Sequence, residues 1–546
     1  MNMNRSIAAL ILTAIFVVTN AAQHSQVQPS ASAVTAEQWK DDLRFMAAEI
    51  EKTHKNAFHR VSRDQFYREV NALEQRIPSL EDHQVVVEFI RIVAMVGDGH
   101  TGLRWGAHLA AAGVLPVRFY QFDDGIFIQN ASPDQKDLLG AKLVAINGVP
   151  VAQAIQKMTP YIWRDNEWGI KSTAPIYLSV PPMLHAIGLS PSKASATFTI
   201  AKDGKERTVE LKPTGKLGEL WDPPATWLSA RRSDAPVPLW QKDPTNNFWY
   251  EFVPDSKTFY IQFNSVQNKQ NETVEAFFGK AFAEAEKQEA ERLVIDLRRN
   301  GGGNNYLNLP VTVGAIKSKL NVRGKFFVII GRETFSAAQN TVNDLEKYTN
   351  ATFVGEPTGA SPNHYGDARQ IVLPNSQIRL QASTLWWQDK DPRDTRIWKA
   401  PDVAADLTFA AYREGRDPAM EAILNYKPTA SFDAILSEAR TTLDVGTFVK
   451  RMREFRSNPS HKYIEVETRI NNAGYFLLGQ NRIDQAIEIF KLNVELHPGS
   501  ANAFDSLGEA YLKKGDKPNA LSNYRKALEL DPKMVTAVDA VRTLTN

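Results

Sequence analysis

The sequence predicts a multidomain α/β protein of mixed helices and strands that ends in an all-α repeat pair. Its 546 residues are too many for one hydrophobic core, so several domains are expected. Predicted strands and helices alternate over residues 246–425, which is typical of a partly parallel sheet covered by helices. Near the C-terminus, Pro498 and Pro532 lie 34 residues apart, and Gly, Ala and aromatic positions repeat in the same register. That period is typical of tetratricopeptide repeats.

The first 22 residues have the pattern of a secretory signal peptide. A positively charged start, "MNMNR", precedes the apolar stretch "SIAALILTAIFVV" and small residues near Ala21 and Ala22. An uncleaved membrane anchor is the alternative interpretation, although the stretch is short for a spanning helix. We therefore expect residues 1–22 to be removed and the protein to be exported, either to the periplasm or to the exterior.

The composition excludes several classes of protein. Apolar residues make up 43% and charged residues 23% of the chain, with a formal net charge of +2, as in ordinary globular proteins. No basic run suggests nucleic-acid binding. The chain has no cysteine, which excludes disulfides, thiolate metal sites and a cysteine nucleophile. His54 and His59 are spaced so that they do not share a helical face. No metal and no cofactor are predicted.

Two segments precede the α/β region. Residues 34–105 are predicted to be a helical domain, because apolar residues recur at spacings of three and four in "TAEQWKDDLRFMAAEIEKTH". Residues 106–215 change to short strands separated by turns, with a hairpin at "AKDGKE", and are predicted to be a β-rich module. The Pro- and Trp-rich residues 216–245 are predicted to connect this module to the next domain.

The α/β core is predicted over residues 246–425. "TFYIQFNSV", "RLVIDLR" and "KFFVIIG" have the composition of strands, and "ETVEAFFGKAFAEAEKQ" and "SAAQNTVNDLEKY" that of helices. Residues 426–466 are predicted to be a linker. Residues 467–546 are predicted to form two tetratricopeptide helix pairs and a capping helix.

A glycine-rich turn follows one of the predicted strands, in "LVIDLRRNGGGNN" at residues 293–305. Consecutive glycines let the backbone turn sharply and present bare N–H groups, which suit an oxyanion. No Gly-Lys-Ser/Thr ending is present, so a nucleotide-phosphate loop is disfavoured. A tight turn without chemistry is the alternative interpretation.

Ser336, in "GRETFSAAQN", begins a predicted helix directly after a predicted buried strand. A helix N-terminus stabilises developing negative charge. The N–H of Ala337 would lie beside the oxyanion that forms when a serine attacks a carbonyl group. The alternative is that Ser336 caps the helix, because Gln339 follows three residues later as in a capping box.

A nucleophilic serine needs a base, and the loops offer two histidine candidates. His100 lies in the glycine-flanked loop "GDGHTGL", and His364 in "SPNHYGD" is the second candidate. A histidine with no catalytic role is the alternative for each.

Taken in order along the chain, these motifs resemble the tail-specific (C-terminal processing) serine protease family. Its relatives include the tricorn protease core and the interphotoreceptor retinoid-binding protein. The resemblance covers about residues 35–425 and implies a serine peptidase fold in which a helical segment and a PDZ-like module precede the α/β core. Residues 106–215 would be the PDZ-like module. The matching motifs are "GDGHT", "LLGAKLVAINGVPV", "LVIDLRRNGGGN", "GRETFSAAQN", "FVGEPTGASPN" and "APDV".

The resemblance also implies roles for individual residues. Ser336 would be the nucleophile, and the backbone N–H groups of Gly301, Gly302 and Ala337 would form the oxyanion hole. These four residues come from two separate loops of the predicted core.

The base would be a histidine. Family members with a Ser–Lys dyad carry the lysine in the motif that matches "GEPTGASPN", where this chain has Ser361. The tricorn-like branch uses a histidine, at the position of His100. An acidic residue holds that histidine, and Asp394 is the nearest match, with Asp391 and Asp98 as competitors.

The predicted function is that of an exported serine-type endopeptidase that cleaves proteins or peptides through an acyl-enzyme. The predicted partners are a protein or peptide substrate, and a protein bound at the repeats. Two other classes stay open: a protein scaffold, and a non-catalytic ligand binder whose pocket would use Trp386, Trp387 and Trp398, although core packing also explains these tryptophans. The sequence leaves the oligomeric state open.

Overall fold

The computed structural model describes residues 34–388 and 390–545. The predicted signal peptide lies outside the described residues. Within the described part of the chain, no helix is long and apolar enough to cross a membrane.

Helices and strands are both distributed along the chain. The strands are β1 (Gly102–Arg104), β2 (Val117–Phe122), β3 (Gly125–Ala131), β4 (Lys142–Ile146), β5 (Val149–Pro150), β6 (Ala196–Lys202), β7 (Lys205–Leu211), β8 (Leu228–Ser229), β9 (Phe248–Val253), β10 (Thr258–Phe263), β11 (Arg292–Asp296), β12 (Phe326–Ile330), β13 (Thr352–Gly355), β14 (His364–Val372), β15 (Arg379–Trp387) and β16 (Val403–Ala404). The helices are α1 (Ala36–Thr53), α2 (Arg63–Arg76), α3 (Asp82–Ala94), α4 (Gly106–Leu109), α5 (Val151–Met158), α6 (Trp168–Tyr177), α7 (Pro181–Ala186), α8 (Leu239–Lys242), α9 (Val274–Lys287), α10 (Leu309–Lys317), α11 (Ala337–Tyr348), α12 (Phe409–Arg413), α13 (Pro418–Leu424), α14 (Phe432–Thr442), α15 (Val445–Ser457), α16 (Glu467–Gly479), α17 (Ile483–Leu496), α18 (Ala501–Lys514), α19 (Lys517–Leu530) and α20 (Val535–Thr545).

A mostly parallel sheet forms the centre of the α/β core. Its strand order is β16-β13-β12-β11-β10-β9, and all neighbours are parallel except β9, which runs antiparallel to β10 at the edge. Strands β10, β12 and β13 are buried along their whole length, which explains their continuous apolar sequences. Helices α9, α10 and α11 pack on one face of the sheet, and α13 packs on the other. The predicted mixed α/β fold class is confirmed.

The N-terminal helices and the β-rich module share one apolar core. That core also contains residues of the long β14–β15 hairpin, which lies between β13 and β16 of the α/β sheet in sequence. The hairpin reaches this core because β15 pairs antiparallel with β1, with Gly102 opposite Gln381 and Arg104 opposite Arg379. The two predicted N-terminal segments are therefore packed together in space. Residue periodicity does not reveal this, because it describes the face of a strand and says nothing of its partner.

The β-rich module is built on an antiparallel path, β2-β3-β4-β6-β7, with β5 and β8 paired at its side. Helix α6 contacts β2, and α5 contacts β4. Its assignment as a PDZ-like module stays a prediction.

The segment predicted as a linker, residues 426–466, contains helices α14 and α15. Their buried face includes Phe432, Phe448 and Phe455, which pack with apolar residues of α16 and α17. The segment therefore extends the C-terminal helical array, because its aromatic residues recur at helical spacing and need a partner face.

The repeats show how the 34-residue period packs. A Cβ on Gly474 would lie 2.5 Å from the Phe490 ring, and one on Gly508 would lie 3.1 Å from the Tyr524 ring. In each repeat the glycine of the first helix accommodates the aromatic ring of the second.

The C-terminal helices contact the rest of the molecule next to α15. Lys462 Nζ lies 2.7 Å from Asp406 Oδ2, and the Tyr463 hydroxyl donates to Asp406 Oδ1. The Tyr463 ring also packs edge-on against Trp168 of α6, with ring centroids 5.2 Å apart. We call Asp406, Lys462 and Tyr463 the Asp406 junction.

Candidate active site

Three loops meet at one edge of the core sheet. They follow the neighbouring parallel strands β11, β12 and β13 and comprise residues 297–304, 331–336 and 356–363. Carboxyl ends of parallel strands lie on the same edge, which is where α/β proteins bind ligands. The glycine triplet is in the first loop, Ser336 ends the second, and the third leads to His364 at the start of β14.

Ser336 has a strained backbone conformation. Its φ is 53° and its ψ is −126°, at the sharp turn between β12 and α11. A residue other than glycine is destabilised by about 1–3 kcal/mol in such a backbone conformation. The Ser336 side chain makes no capping hydrogen bond, and Gln339 Nε2 donates to Asn343 Oδ1 instead of closing a capping box. The capping interpretation is thus not what the structure shows, and the turn presents the serine at the loop edge.

Gly302 makes room for this turn. A Cβ on Gly302 would lie 2.6 Å from Ser336 Cβ and 2.9 Å from Ala337 N, and its φ of 103° favours glycine. The glycine loop therefore approaches the serine closely only because this residue has no side chain.

The three predicted oxyanion donors differ in the structure. The N–H of Gly302 donates to Asn300 Oδ1 at 2.9 Å, so it is already engaged within its own loop. Among the described residues, no acceptor lies within hydrogen-bond reach of the N–H groups of Gly301 and Ala337. Of the predicted donors, these two remain suited to an oxyanion.

Asn300 and Thr334 tie the loops together, and the sequence interpretation missed both. Asn300 Nδ2 donates to the Phe263 backbone carbonyl, and the backbone carbonyl of Asn300 accepts a hydrogen bond from Phe335 N. Thr334 Oγ1 donates to the Leu297 carbonyl at 2.8 Å. An asparagine two residues before a glycine favours a side-chain turn, which was the available signal for Asn300. No comparable signal marks Thr334.

His100 lies beside the serine loop. Its ring stacks on Phe335, the residue before Ser336, with centroids 4.4 Å apart, and on His364 at 5.7 Å. Neither ring nitrogen of His100 hydrogen-bonds to Ser336. The structure therefore brings His100, His364 and the Ser336 loop together, with the Phe335 ring packed against the histidine.

The His100 ring is held in its neutral form. Burial, together with the neighbouring His364, lowers its pKa to about 3, while the Asp98 carboxylate opposes this shift. The neutral imidazole has a lone pair that can accept a proton, but with so low a pKa it is a weak base in this environment.

Asp98 positions the loop that carries His100. Burial disfavours its charge, but hydrogen bonds from His54, Thr101 and Ser383 outweigh burial and lower the pKa of Asp98 to about 2. Its Oδ2 lies 2.9 Å from His54 Nε2, and its Oδ1 accepts the His100 backbone N–H at 2.9 Å. Asp98 thus holds the backbone of His100 and pairs with a different histidine.

Asp165 is a further carboxyl group at the site that sequence reasoning missed. It accepts the Gly99 N–H at 2.7 Å and the Ser361 N–H at 3.3 Å, and so joins the His100 loop to the loop after β13. Burial and the nearby Asp98 raise the pKa of Asp165 to about 7. No motif surrounds it in the sequence.

The structure does not join Asp394 to His100. The Asp394 carboxylate pairs with Arg396, which also binds Glu346, and it forms no hydrogen bond with the His100 ring. Asp391 pairs with Arg393. In this structure both carboxylates therefore bind neighbouring arginines, and a role for Asp394 in orienting the histidine stays a prediction.

His364 remains the second candidate base. Its Nδ1 donates to the Ser361 carbonyl at 3.0 Å, which leaves Nε2 as the basic nitrogen of the neutral ring.

Two of the tryptophans considered for a ligand pocket are adjacent in β15. Trp386 packs on Tyr365, and Trp387 donates to Asp367.

One group of side chains has the composition of a metal site. Ligand atoms of Glu81, His83 and His185 lie within 4.8 Å of one another. However, His83 Nε2 contacts His185 Nδ1 directly at 2.8 Å, and Glu81 pairs with Lys193. This contact leaves no space for an ion between the two nitrogens.

Comparisons with known proteins match two parts of the chain. Residues 257–312 match the family model "Peptidase family S41", and residues 501–534 match "Tetratricopeptide repeat". The tetratricopeptide repeat domain-containing protein PYG7 of Arabidopsis thaliana is 36% identical over 62 residues, which cover 11% of this chain. The match spans 21% of that relative, about a fifth of its length.

Solved structures share the fold of most of the chain. Mature CPAF complexed with lactacystin is 14% identical with a TM-score of 0.50, over 72% of this chain and 97% of CPAF. A CPAF mutant is 13% identical with a TM-score of 0.51, over 72% of this chain and 99% of that one. These similarities concern the fold alone.

Proposed function

We propose that this chain is a serine peptidase of the tail-specific type that cleaves peptide bonds through Ser336. The match of its core to peptidase family S41 supports the peptidase class, and the chain ends in tetratricopeptide repeats. The observation that carries the proposal is the strained turn that presents Ser336 beside the glycine loop, without a capping role. Strain of this kind persists where function requires a particular orientation.

The proposed reaction is acyl transfer. A ring nitrogen of His100 takes the proton of Ser336 Oγ while Oγ bonds to the substrate carbonyl carbon. The Gly301 and Ala337 N–H groups bind the oxyanion, a contribution of about 3 kcal/mol per donor in comparable sites. The C–N bond then breaks, the amine leaves with the proton, and water hydrolyses the ester to restore the serine.

This step requires a rearrangement of the resting site. The Phe335 ring packs on His100, and the serine–histidine hydrogen bond is not formed. Rotation of the Phe335 ring away from His100 would let the imidazole turn toward Ser336. Gating by a side chain or loop of this kind is common in enzymes.

Export and partner binding complete the proposal. The signal-peptide pattern of residues 1–22 supports export to the periplasm or exterior. The repeats support the binding of a protein partner, as helical repeats generally do.

A fluorophosphonate probe tests the nucleophile and the base. The parent protein is compared with Ser336→Ala, His100→Ala and His364→Ala variants, with circular dichroism as a folding control. We expect the parent to be labelled, Ser336→Ala to be silent, and His100→Ala to react at least a hundredfold more slowly.

Each pattern of labelling has a distinct meaning. Loss of labelling in His364→Ala but not in His100→Ala would assign the base to His364. A folded parent that stays unlabelled would support the ligand-binding or scaffold class.

A further inference from the structure

A cavity of about 460 Å³ opens beside the candidate active site. Its wall includes Gly99, Gly301 and Phe335, which are respectively the neighbour of His100, a candidate oxyanion donor and the neighbour of Ser336. A volume of this size is typical of ligand sites and is larger than the volume of one side chain. The cavity is therefore placed to receive part of a substrate close to the reacting bond.

The charge of the cavity wall is strongly asymmetric. Its charged side chains are those of Arg118, Arg164, Lys171, Arg299, Arg332 and Glu333. Five cations thus face one carboxylate. A concave wall lined by charges of one sign concentrates the field and attracts ligands of the opposite charge.

Two of these cations are committed to the fold. Arg332 donates through Nε and Nη2 to both oxygens of Glu356, at 2.7 and 2.5 Å. Arg164 donates through Nη1 to the carbonyls of Thr159 and Ile162. The charge of Arg332 is therefore already paired, and Arg164 already uses one of its donor groups within the protein.

Arg118 and Arg299 are different. Within residues 34–388 and 390–545, neither guanidinium forms an ion pair or a hydrogen bond. Burial lowers the pKa of Arg118, and while Glu333 opposes this change, the nearby Arg299 lowers it further. Both side chains are partly buried in the wall of one cavity, where two like charges are costly unless an anion joins them.

We infer that this cavity binds a carboxylate of the peptide substrate between Arg118 and Arg299. The planar fork of an arginine matches a carboxylate with two parallel hydrogen bonds. Phe119, Tyr120 and Trp221 supply apolar wall for the rest of the bound segment. The inference rests on the proposed peptidase function. The carboxylate comes either from an acidic side chain or from the substrate C-terminus.

Glu333 has a consequence that sharpens this inference. It is the one carboxylate of the wall, and its charge acts on Arg118. A substrate carboxylate at the arginine pair would be repelled by Glu333. Removing that charge should therefore strengthen the binding of acidic peptides, whereas removing an arginine should weaken it.

The test measures binding to the full-length mature Ser336→Ala variant, so that no cleavage interferes. Four rhodamine-labelled decapeptides of Ala, Leu and Ser carry one central Glu or Gln and end in a free acid or an amide. Fluorescence anisotropy gives the Kd of each. We expect a preference of about tenfold for a carboxylate, as for a charge-assisted hydrogen-bonded pair.

Variants assign the preference to the cavity. Arg118→Gln and Arg299→Gln should each abolish it, Arg118→Lys should retain part of it, and Glu333→Gln should increase it. Arg323→Gln, at an exposed arginine outside the cavity, should leave it unchanged. Thermal melting of each variant shows whether it is folded.

The four peptides also separate the two sources of the carboxylate. A preference for Glu over Gln supports an acidic side chain, and a preference for acid over amide supports the C-terminus. Equal binding of all four peptides, no binding of any, or a preference that survives Arg118→Gln in a folded variant would overturn the inference. Probe labelling of Ser336 in the parent reports separately on the proposed peptidase function.

Discussion

Ser336 is held in a conformation that glycine adopts without strain. With φ at 53° and ψ at −126°, any Cβ at this position meets its own backbone. The strain is offset by the contacts around it, including the close approach of Gly302. Ser336, the proposed nucleophile, thus lowers the stability of the protein, as functional residues often do.

Replacement of the serine should expose that strain. We expect Ser336→Gly to be more stable than Ser336→Ala by about 1 kcal/mol, because relief of the strained φ exceeds the entropy that glycine loses on folding. Urea unfolding of both variants measures the difference. As a control, Ala338→Gly, two residues further in α11, should destabilise by about 1 kcal/mol. Equal stability of the two Ser336 variants would mean that the turn is unstrained.

His100 should make the protein sensitive to mild acid. Its folded pKa of about 3 lies below its ordinary value of 6.5, so between these values the unfolded chain binds the proton more readily. The stability contributed is present above pH 6.5 and is lost as pH falls toward 3. Asp165, whose pKa is raised to about 7, acts with the opposite sign, since its contribution is lost as pH rises from 3.8 toward 7.

A variant separates the two effects. Between pH 7 and 5, His100→Gln should lose about 1–2 kcal/mol less unfolding free energy than the parent, because the Asp165 contribution is common to both. Urea unfolding at each pH provides the measurement. Parallel losses in the two proteins would show that His100 is not held neutral by the fold.

At the scale of elements, the site depends on how two loops fit. The glycine loop after β11 and the serine turn after β12 touch at Gly302, while Gly301 has open space around its Cβ position. A side chain would therefore clash with the serine turn at Gly302 but would fit at Gly301.

Substitution of Gly302 should destabilise the protein, whereas substitution of Gly301 should not. Gly302→Ala places a Cβ 2.6 Å from Ser336 Cβ at a φ of 103°, so we expect a lower Tm by several degrees and at least tenfold slower probe labelling. Gly301→Ala should leave the Tm unchanged, because its Cβ meets nothing within 4 Å. Unaltered labelling in Gly302→Ala would show that the loop has room to shift.

At the scale of the whole molecule, the C-terminal helices contact the catalytic part through the Asp406 junction. Asp406 accepts from both Lys462 and Tyr463, and its side chain is 5% exposed. The chain between the two parts, residues 427–430, is exposed. Local opening of such a segment depends on the contacts that hold it.

Weakening the junction should make this segment easier to cleave. We expect Asp406→Asn to be cut severalfold faster by thermolysin within residues 427–430, because the ion pair with Lys462 is lost. Lys533→Gln, at an exposed residue of the repeat region, serves as the matched control. Mass spectrometry locates the cut, and equal rates would show that other contacts hold the helices.

The sequence predicted local features more fully than contacts between distant residues. The strands before the glycine loop and before Ser336, and the repeat period, follow from burial and spacing. The carboxylates around the His100 loop did not follow, because Asp394 pairs with Arg396 and because Asp165, which binds the Gly99 N–H, comes from a loop with no motif. Such pairings depend on three-dimensional packing that residue spacing does not encode.

The pairing of β1 with β15 has a consequence for the biosynthesis of the protein. Strand β1 follows the His100 loop directly, and Ser383 of β15 donates to Asp98 within that loop. The loop thus receives this last set of partners only after β15 has left the ribosome. Under the proposed function, the base and the nucleophile come together late in synthesis, and the nascent chain carries no assembled protease that could attack it or its neighbours.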